Sequence, residues 1–204
     1  MRQYLKILFL LLIPISLKSQ KVLDEVIINS GRILIPFSDE NRNLIIIDSV
    51  FLNNSSAKNL SEILQQVIGV DIRRRGNDDI QSDLYIRGGS FDQTLLLING
   101  IKVEDSQTGH HQMNLSVPID LIDKIEILKG PGSRIFGMNA FNGAVNIITK
   151  KNSENGYINL GYGSFKTIKG SGSIPINTKK TSHILSSTYR QSDGYRYNTD
   201  YNYF

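Results

Sequence analysis

Cysteine is absent from this 204-residue chain, and histidine is limited to His110, His111 and His183. Without cysteine there is no disulfide framework, no thiolate metal site, no thiol nucleophile and no lipid-carrying cysteine behind a leader. No serine stands in a Gly-x-Ser-x-Gly elbow, so a hydrolase nucleophile of that type is excluded. The glycine-rich stretch KGPGSRIFG, residues 129–137, lacks the Gly-Lys-Ser/Thr ending that gives a phosphate loop its charge and its magnesium ligand. Long apolar runs are missing too. The one candidate, residues 7–15, is shorter than the roughly 20 residues a helix needs to cross a bilayer.

That run does have a meaning at its position. Arg2 and Lys6 precede it and small or polar residues follow up to Gln20, which is the layout of a secretory signal peptide over residues 1–19. Its removal takes away Arg2, Lys6 and Lys18 and no acid, so the formal charge falls from +4 to +1. The basic pI therefore gives no support to a nucleic-acid partner. An exported chain without disulfides must rely on core packing or on a large partner surface, and the ~130 residues up to Lys151 are enough for one ordinary core.

Residues 36–151 read as a mixed α and β domain. Leu44–Ile47 is a compact apolar run, and Asn59-Leu-Ser-Glu62 resembles a capping box that opens a short helix through Ile63, Leu64 and Val67, stopped by Gly69. Val70 and Ile72 alternate with Asp71 and Arg73, as on a half-buried strand; a polar loop over residues 76–82 follows, and Leu84 and Ile86 resume the pattern. Asn99-Gly100 between the apolar runs Thr94–Ile98 and Ile101–Val103 predicts a β-hairpin with a type I′ turn. The run LLLI calls for a strand covered on both faces. A helical turn capped by Ser116 is expected over residues 118–122, and strands over residues 124–128 and Gly143–Thr149.

Beyond Lys151 the composition shifts, with seven of the nine tyrosines in the last 54 residues. Ile158, Leu160 and Tyr162 fall on one parity and Asn159, Gly161 and Gly163 on the other, the alternation of a membrane β-barrel wall or of a sandwich edge. At ~10 residues per strand, two strands (residues 156–176 and 181–191) and the start of a third near Tyr201 are expected.

Chemistry-bearing residues are few. His110 and His111, with Gln112 and Met113, form one candidate metal cluster, but neighbouring side chains of an extended segment point to opposite faces, and the plainer reading is two solvated imidazoles in a polar loop. Arg73, Arg74 and Arg75 read as a solvated basic face. Arg87, between Ile86 and Gly88-Gly89, has an apolar flank that suggests partial burial and a need for carboxylate partners. Finally, Asp24, Glu25, Val26, Ile27 and Ile28 look like a strand without a turn or a returning partner beside it, an open edge that is ordinarily a hazard.

These segments carry a family resemblance. DLYIRGG, LLLINGIKV and IDKIEILKGPGSRIFGMNAFNGAVNIITKK resemble the plug domain of TonB-dependent outer-membrane receptors, with an element order similar to the vitamin B12 receptor branch and to receptors of the Bacteroidetes type. The family usually has Asp where Asn99 stands and Arg where Lys129 stands. The resemblance implies an α+β plug with a small mixed sheet and short helices over residues 36–151, then the first antiparallel strands of a transmembrane β-barrel over residues 152–204. It makes residues 20–35 a TonB box and linker, in which residues 24–28 await TonB by strand addition.

It further implies that Arg87 and Lys129 dock the plug to carboxylates of the barrel wall. Two loops are implied to face outside and contact the ligand, through Asn77, Asp78, Asp79 and Gln81 in one and Glu104, Asp105, His110, His111, Gln112 and Met113 in the other. The implied function is energised uptake of a scarce bulky nutrient, a metal chelate such as cobalamin or a siderophore, by a protein of the outer membrane in contact with its lipid. No catalysis and no cofactor are implied. A barrel of about 22 strands needs far more chain than this, so the sequence reads as the front part of a longer receptor. The competing reading is a free-standing periplasmic module that uses the plug fold without a pore.

Overall fold

The computed structural model describes residues 27–28, 35–36, 43–57, 59–76, 81–105, 108–110, 112–113, 115, 117–151 and 155–203. The signal peptide and Asp24, Glu25 and Val26 lie outside the described residues. In chain order, β1 (Ile27–Ile28) pairs antiparallel with β2 (Ile35–Pro36). The run LIII, with three β-branched isoleucines, forms β3 (Leu44–Ile47). Asp48 then caps α1 (Ser49–Asn54) by accepting from Phe51 N at 2.8 Å.

The cap expected at Asn59 is present. Its Oδ1 accepts from Glu62 N at 2.8 Å and opens α2 (Leu60–Gln65), which buries Ile63 and Leu64 completely. This helix stops earlier than expected: Val67 N donates to Leu64 O at 3.0 Å in the turn beyond it, and Gly69 at φ +83° redirects the chain. Because Asn59 satisfies an otherwise orphaned helix N–H, Asn59→Ala should destabilise the domain by about 1 kcal/mol. A thermal unfolding midpoint unchanged from the parent would count against that role.

β4 (Val70–Arg75) and β5 (Gln81–Ile86) form a separate hairpin, with Val70 opposite Ile86 and Arg75 opposite Gln81. A 3₁₀ turn at Phe91–Gln93 leads into β6 (Thr94–Ile98), which turns at Asn99-Gly100 into β7 (Ile101–Val103). Asn99 at φ 51° and Gly100 at φ 80° give the expected I′ geometry. The expected turn at residues 118–122 is a 3₁₀ turn, Ile119–Leu121, headed by Pro118, whose missing N–H costs nothing at that position. Pro118 is the cap residue, with no side-chain bond, and Ser116 lies outside the described residues. After it come β8 (Ile122–Lys129), the helical turn α3 (Ser133–Phe136) and β9 (Gly143–Thr149).

Five of these strands make one mixed sheet in the order β3-β8-β9-β6-β7, antiparallel except for the parallel β6–β9 pair. Both faces are covered, which is why LLLI and IEIL carry so little polarity. On one face Ile125, Ile127, Val145, Ile147 and Leu96 pack with the two helices and with Ile72, Leu84 and Ile86 of the hairpin. The other face joins Leu44, Leu95, Leu97 and Leu128 to Ala140 and Ala144. One polar row crosses that second face: Lys124 Nζ lies 3.1 Å from buried Glu126, Asn146 Nδ2 donates to Glu126 at 3.5 Å, and Asn146 Oδ1 accepts from Gly100 N at 2.9 Å. The hairpin turn is thereby tied to the sheet centre.

The chain then enters an antiparallel meander, β10 (Tyr157–Gly163), β11 (Thr167–Asn177), β12 (Ser182–Ser192) and β13 (Tyr201–Tyr203). Residues 156–176, expected as one strand, are two. Phe165 and Lys166 take φ 57° and 50° and fold the chain back, a turn without the glycine or asparagine that marks such turns in sequence. Lys166 reaches Asp193 at 2.9 Å, so this turn and the exit of β12 are tied at one end of the sheet.

Candidate functional site

The segment IRGG folds as a tight turn. Gly89 N donates to Ile86 O at 3.0 Å, with Arg87 at φ 52° and Gly88 at φ 74°. This lifts Arg87 off the sheet, and its side chain is exposed, where the apolar flank had suggested partial burial. Its guanidinium lies beside Gly130, 3.6 Å from where a Cβ would stand. Lys129 comes to the same spot from β8 and donates from Nζ to Ile68 O at 2.6 Å. The two cations implied as docking residues are thus brought together around Gly69, whose carbonyl accepts from Arg87 N at 2.9 Å. Lys129 is spent partly on its own domain; among the described residues no carboxylate meets Arg87.

The basic run divides because a strand alternates its faces. Arg74 turns toward α2, donating to Gln65 Oε1 at 2.7 Å and lying 3.7 Å from Glu62. Arg73 stays exposed on the opposite face, 3.1 Å from Asp71 and stacked 4.3 Å above the Tyr85 ring. The hydrogen bond to Asp71 raises its pKa further, so it is a fixed cation.

Of the two loops expected to face the ligand, Asn77, Asp78, Asp79 and His111 lie outside the described residues. Gln81 is in strand β5 and not in a loop, since its pairing with Arg75 extends the hairpin. Glu104 is exposed and engaged by Lys102 at 2.7 Å, Asp105 is half-buried, and Gln112 is half-buried beside Gly109. Met113 is corrected: only 6 % exposed, it packs into the main core, because an unbranched thioether fills the gap beneath the loop. His110 is corrected as well. It is not a solvated imidazole: Nδ1 lies within hydrogen-bond distance of Asp83 Oδ1, at 2.9 Å, and its ring lies tilted by 35° against Phe91 with centroids 4.3 Å apart.

That contact joins the two loop regions. Asp83, on the outer face of β5, is 2 % exposed, and Phe91 makes an edge contact with Tyr85 at 6.3 Å. Sequence reading missed Asp83, Tyr85 and Phe91. The alternation of QSDLYI was visible, but nothing local marks an acid that will be covered by a loop 27 residues further on.

The N-terminal strand needs a correction too. Ile27 and Ile28 do have a returning partner, pairing with Pro36 and Ile35, so the edge is not left open on both sides. Two residues of each strand are among the described residues.

Behind these elements the meander stands against the domain across a cavity of about 950 Å³. Leu60, Leu115 and Pro118 line it on one side and Asn159, Lys169 and Arg190 on the other. The opposite face of the meander is apolar and bare: Ile158, Leu160, Tyr162, Ile174 and Leu185 are 62 to 83 % exposed. Ile174 and Leu185 are directly paired, and the neighbours of Leu160 and Ile158 on β11 are Gly170 and Gly172. An exposed apolar band with a polar inner face is what a lipid-facing wall requires.

A mixed α and β domain whose last strand runs on into an antiparallel meander with an apolar outer face has the layout of a plug followed by the first strands of a wall. The chain belongs to the TonB-dependent receptor plug family: residues 38–144 match the family described as TonB-dependent Receptor Plug Domain. It is 30 % identical over 159 residues to the vitamin B12 transporter BtuB of Vibrio vulnificus strain CMCP6, covering 76 % of this chain and 26 % of that protein. With BtuB of strain YJ016 it shares 29 % identity over 197 residues, covering 92 % of this chain and 32 % of that one. Its fold matches the alcaligin outer-membrane receptor FauA of Bordetella pertussis with a TM-score of 0.64 at 15 % identity, covering 82 % of this chain and 29 % of that structure. It also matches the pyoverdine receptor FpvA of Pseudomonas aeruginosa with a TM-score of 0.62 at 16 % identity, covering 81 % and 24 %. The chain spans about a quarter of the length of the first of these relatives.

Proposed function

We propose that this chain carries the plug and first wall strands of a TonB-dependent outer-membrane receptor that takes up a scarce, bulky nutrient, a metal chelate of the cobalamin or siderophore kind. One observation carries the reading: a plug whose core is complete stands against a meander whose outer face is apolar and exposed. A free-standing periplasmic module is disfavoured by the same band, because Ile158, Leu160 and Tyr162 bared to water would make it sticky.

In this reading residues 1–19 export the chain, residues 20–35 hold the TonB box and linker, residues 36–151 are the plug and residues 152–204 begin the barrel. TonB pairs with Asp24, Glu25, Val26, Ile27 and Ile28 by strand addition, main-chain hydrogen bonds supplying grip. Arg87 and Lys129 seat the plug against carboxylates of the wall, Arg87 as the fork-shaped partner and Lys129 as a point charge. Gln81, at the start of β5, and the loop carrying Glu104, His110 and Gln112 meet the nutrient outside. The outer membrane has no ATP, so displacing the plug draws on the inner-membrane proton gradient through TonB.

The test is uptake of radiolabelled cyanocobalamin and of ferric siderophores by cells whose only receptor is the full-length protein. Uptake of one of them should stop when the proton gradient is collapsed, with surface binding retained. Uptake indifferent to the gradient would overturn the reading.

A further inference from the structure

His110 is held in a way that a solvated loop histidine is not. Its Nδ1 lies 2.9 Å from Asp83 Oδ1, a hydrogen bond in which a carboxylate oxygen is the acceptor and the ring N–H the donor, and Asp83 is almost fully buried. Phe91 lies against the ring at 4.3 Å and fixes its plane. A neutral imidazole that donates from Nδ1 carries its free lone pair on Nε2. Among the described residues Nε2 has no hydrogen-bond partner, and the side chain is 33 % exposed. The second oxygen of Asp83, Oδ2, is buried without a partner.

This is the arrangement in which a histidine binds a metal: the outer carboxylate fixes tautomer and ring orientation and raises the basicity of the other nitrogen. Among the described residues no three ligating side chains converge, so a bare ion has no cage here. A single nitrogen donor suits a metal that arrives with the rest of its coordination sphere. Imidazole favours iron, copper, nickel and their neighbours over hard cations.

We propose that His110 is a coordinating contact, with Asp83 its positioning residue, for a chelated transition metal that keeps one exchangeable coordination position. This rests on the reading above that the loop carrying His110 faces outside.

The probe is copper(II) iminodiacetate, added to the full-length receptor in detergent at pH 7.5 and read by pulsed electron paramagnetic resonance, in which the remote imidazole nitrogen modulates the echo. The expected result is an imidazole signal that disappears in His110→Ala. Asp83→Asn should weaken probe binding by about tenfold and shift the quadrupole coupling of the remote nitrogen, which a purely structural role would leave alone. An identical signal in His110→Ala overturns the proposal, as does an Asp83→Asn variant with affinity and coupling unchanged.

Folding of the variants is bypassed by ¹⁵N-histidine spectra of the unaltered receptor. The neutral ring of His110 should carry its proton at Nδ1; protonation at Nε2 alone overturns the proposal. Gradient-dependent uptake measured in parallel separates the two readings, since uptake that persists without a His110 signal sinks this inference and leaves the receptor standing.

Discussion

Proline in place of Ile27 is expected to reduce energised uptake by the full-length receptor to the background seen without a proton gradient, with nutrient binding unchanged. Proline has no N–H and fixes φ, so it removes a ladder donor from the middle of the strand that TonB is proposed to pair with. Binding should survive because Gln81 and the loop carrying His110 belong to elements distant in sequence from residues 24–28. The pairing of Ile27–Ile28 with Ile35–Pro36 supplies a control. Ile35→Pro disrupts that internal pair from the other side and leaves the backbone of residues 24–28 intact, so uptake should continue. If Ile27→Pro transports at the parental rate, or if both prolines abolish uptake equally, the strand is an ordinary part of the fold.

A second large effect is expected at Gly143. It opens β9, paired with Lys129 on one side and Thr94 on the other, in the middle of the sheet. A Cβ there would run into the carbonyl oxygen of Leu128 and stand 2.9 Å from Ile86 Cδ1. Neither neighbour has room to yield: one is backbone of the adjacent strand and the other a fully buried side chain of the hairpin. Gly143→Ala should cost about 3 kcal/mol, and Gly143→Val more, through strand separation and overpacking. Denaturant unfolding of the purified receptor, followed by a probe in the plug, measures it. Gly161→Ala is the contrasting change, because its nearest neighbour is Lys169 Cβ at 3.8 Å, an ordinary contact, and it should leave the unfolding midpoint in place.

Much of the plug is legible because its signals are local. The Asn99-Gly100 hairpin follows from two positive φ angles that those residues accept, and the Asn59 cap from one side chain bonding a backbone N–H three residues on. Elsewhere the local signals are weak. Phe165 and Lys166 make a tight turn that their residue types do not announce, so the alternation alone does not divide β10 from β11. The polar run before Gln81 gives no sign of where pairing with Arg75 resumes.

By itself the sequence determined the plug's element types, its two-faced apolar strands and the alternating apolar wall, since turn chemistry, capping and side-chain period act over a few residues. Only the tertiary structure decided that Ile27 and Ile28 have a return strand, that Met113 is core, that Arg87 stands exposed beside Lys129, and that His110 rests on Asp83. Each of those depends on segments separated by several to dozens of residues meeting as the chain packs, and a meeting of that kind is set by how hairpin, sheet and loops stack together, which no short window of sequence encodes.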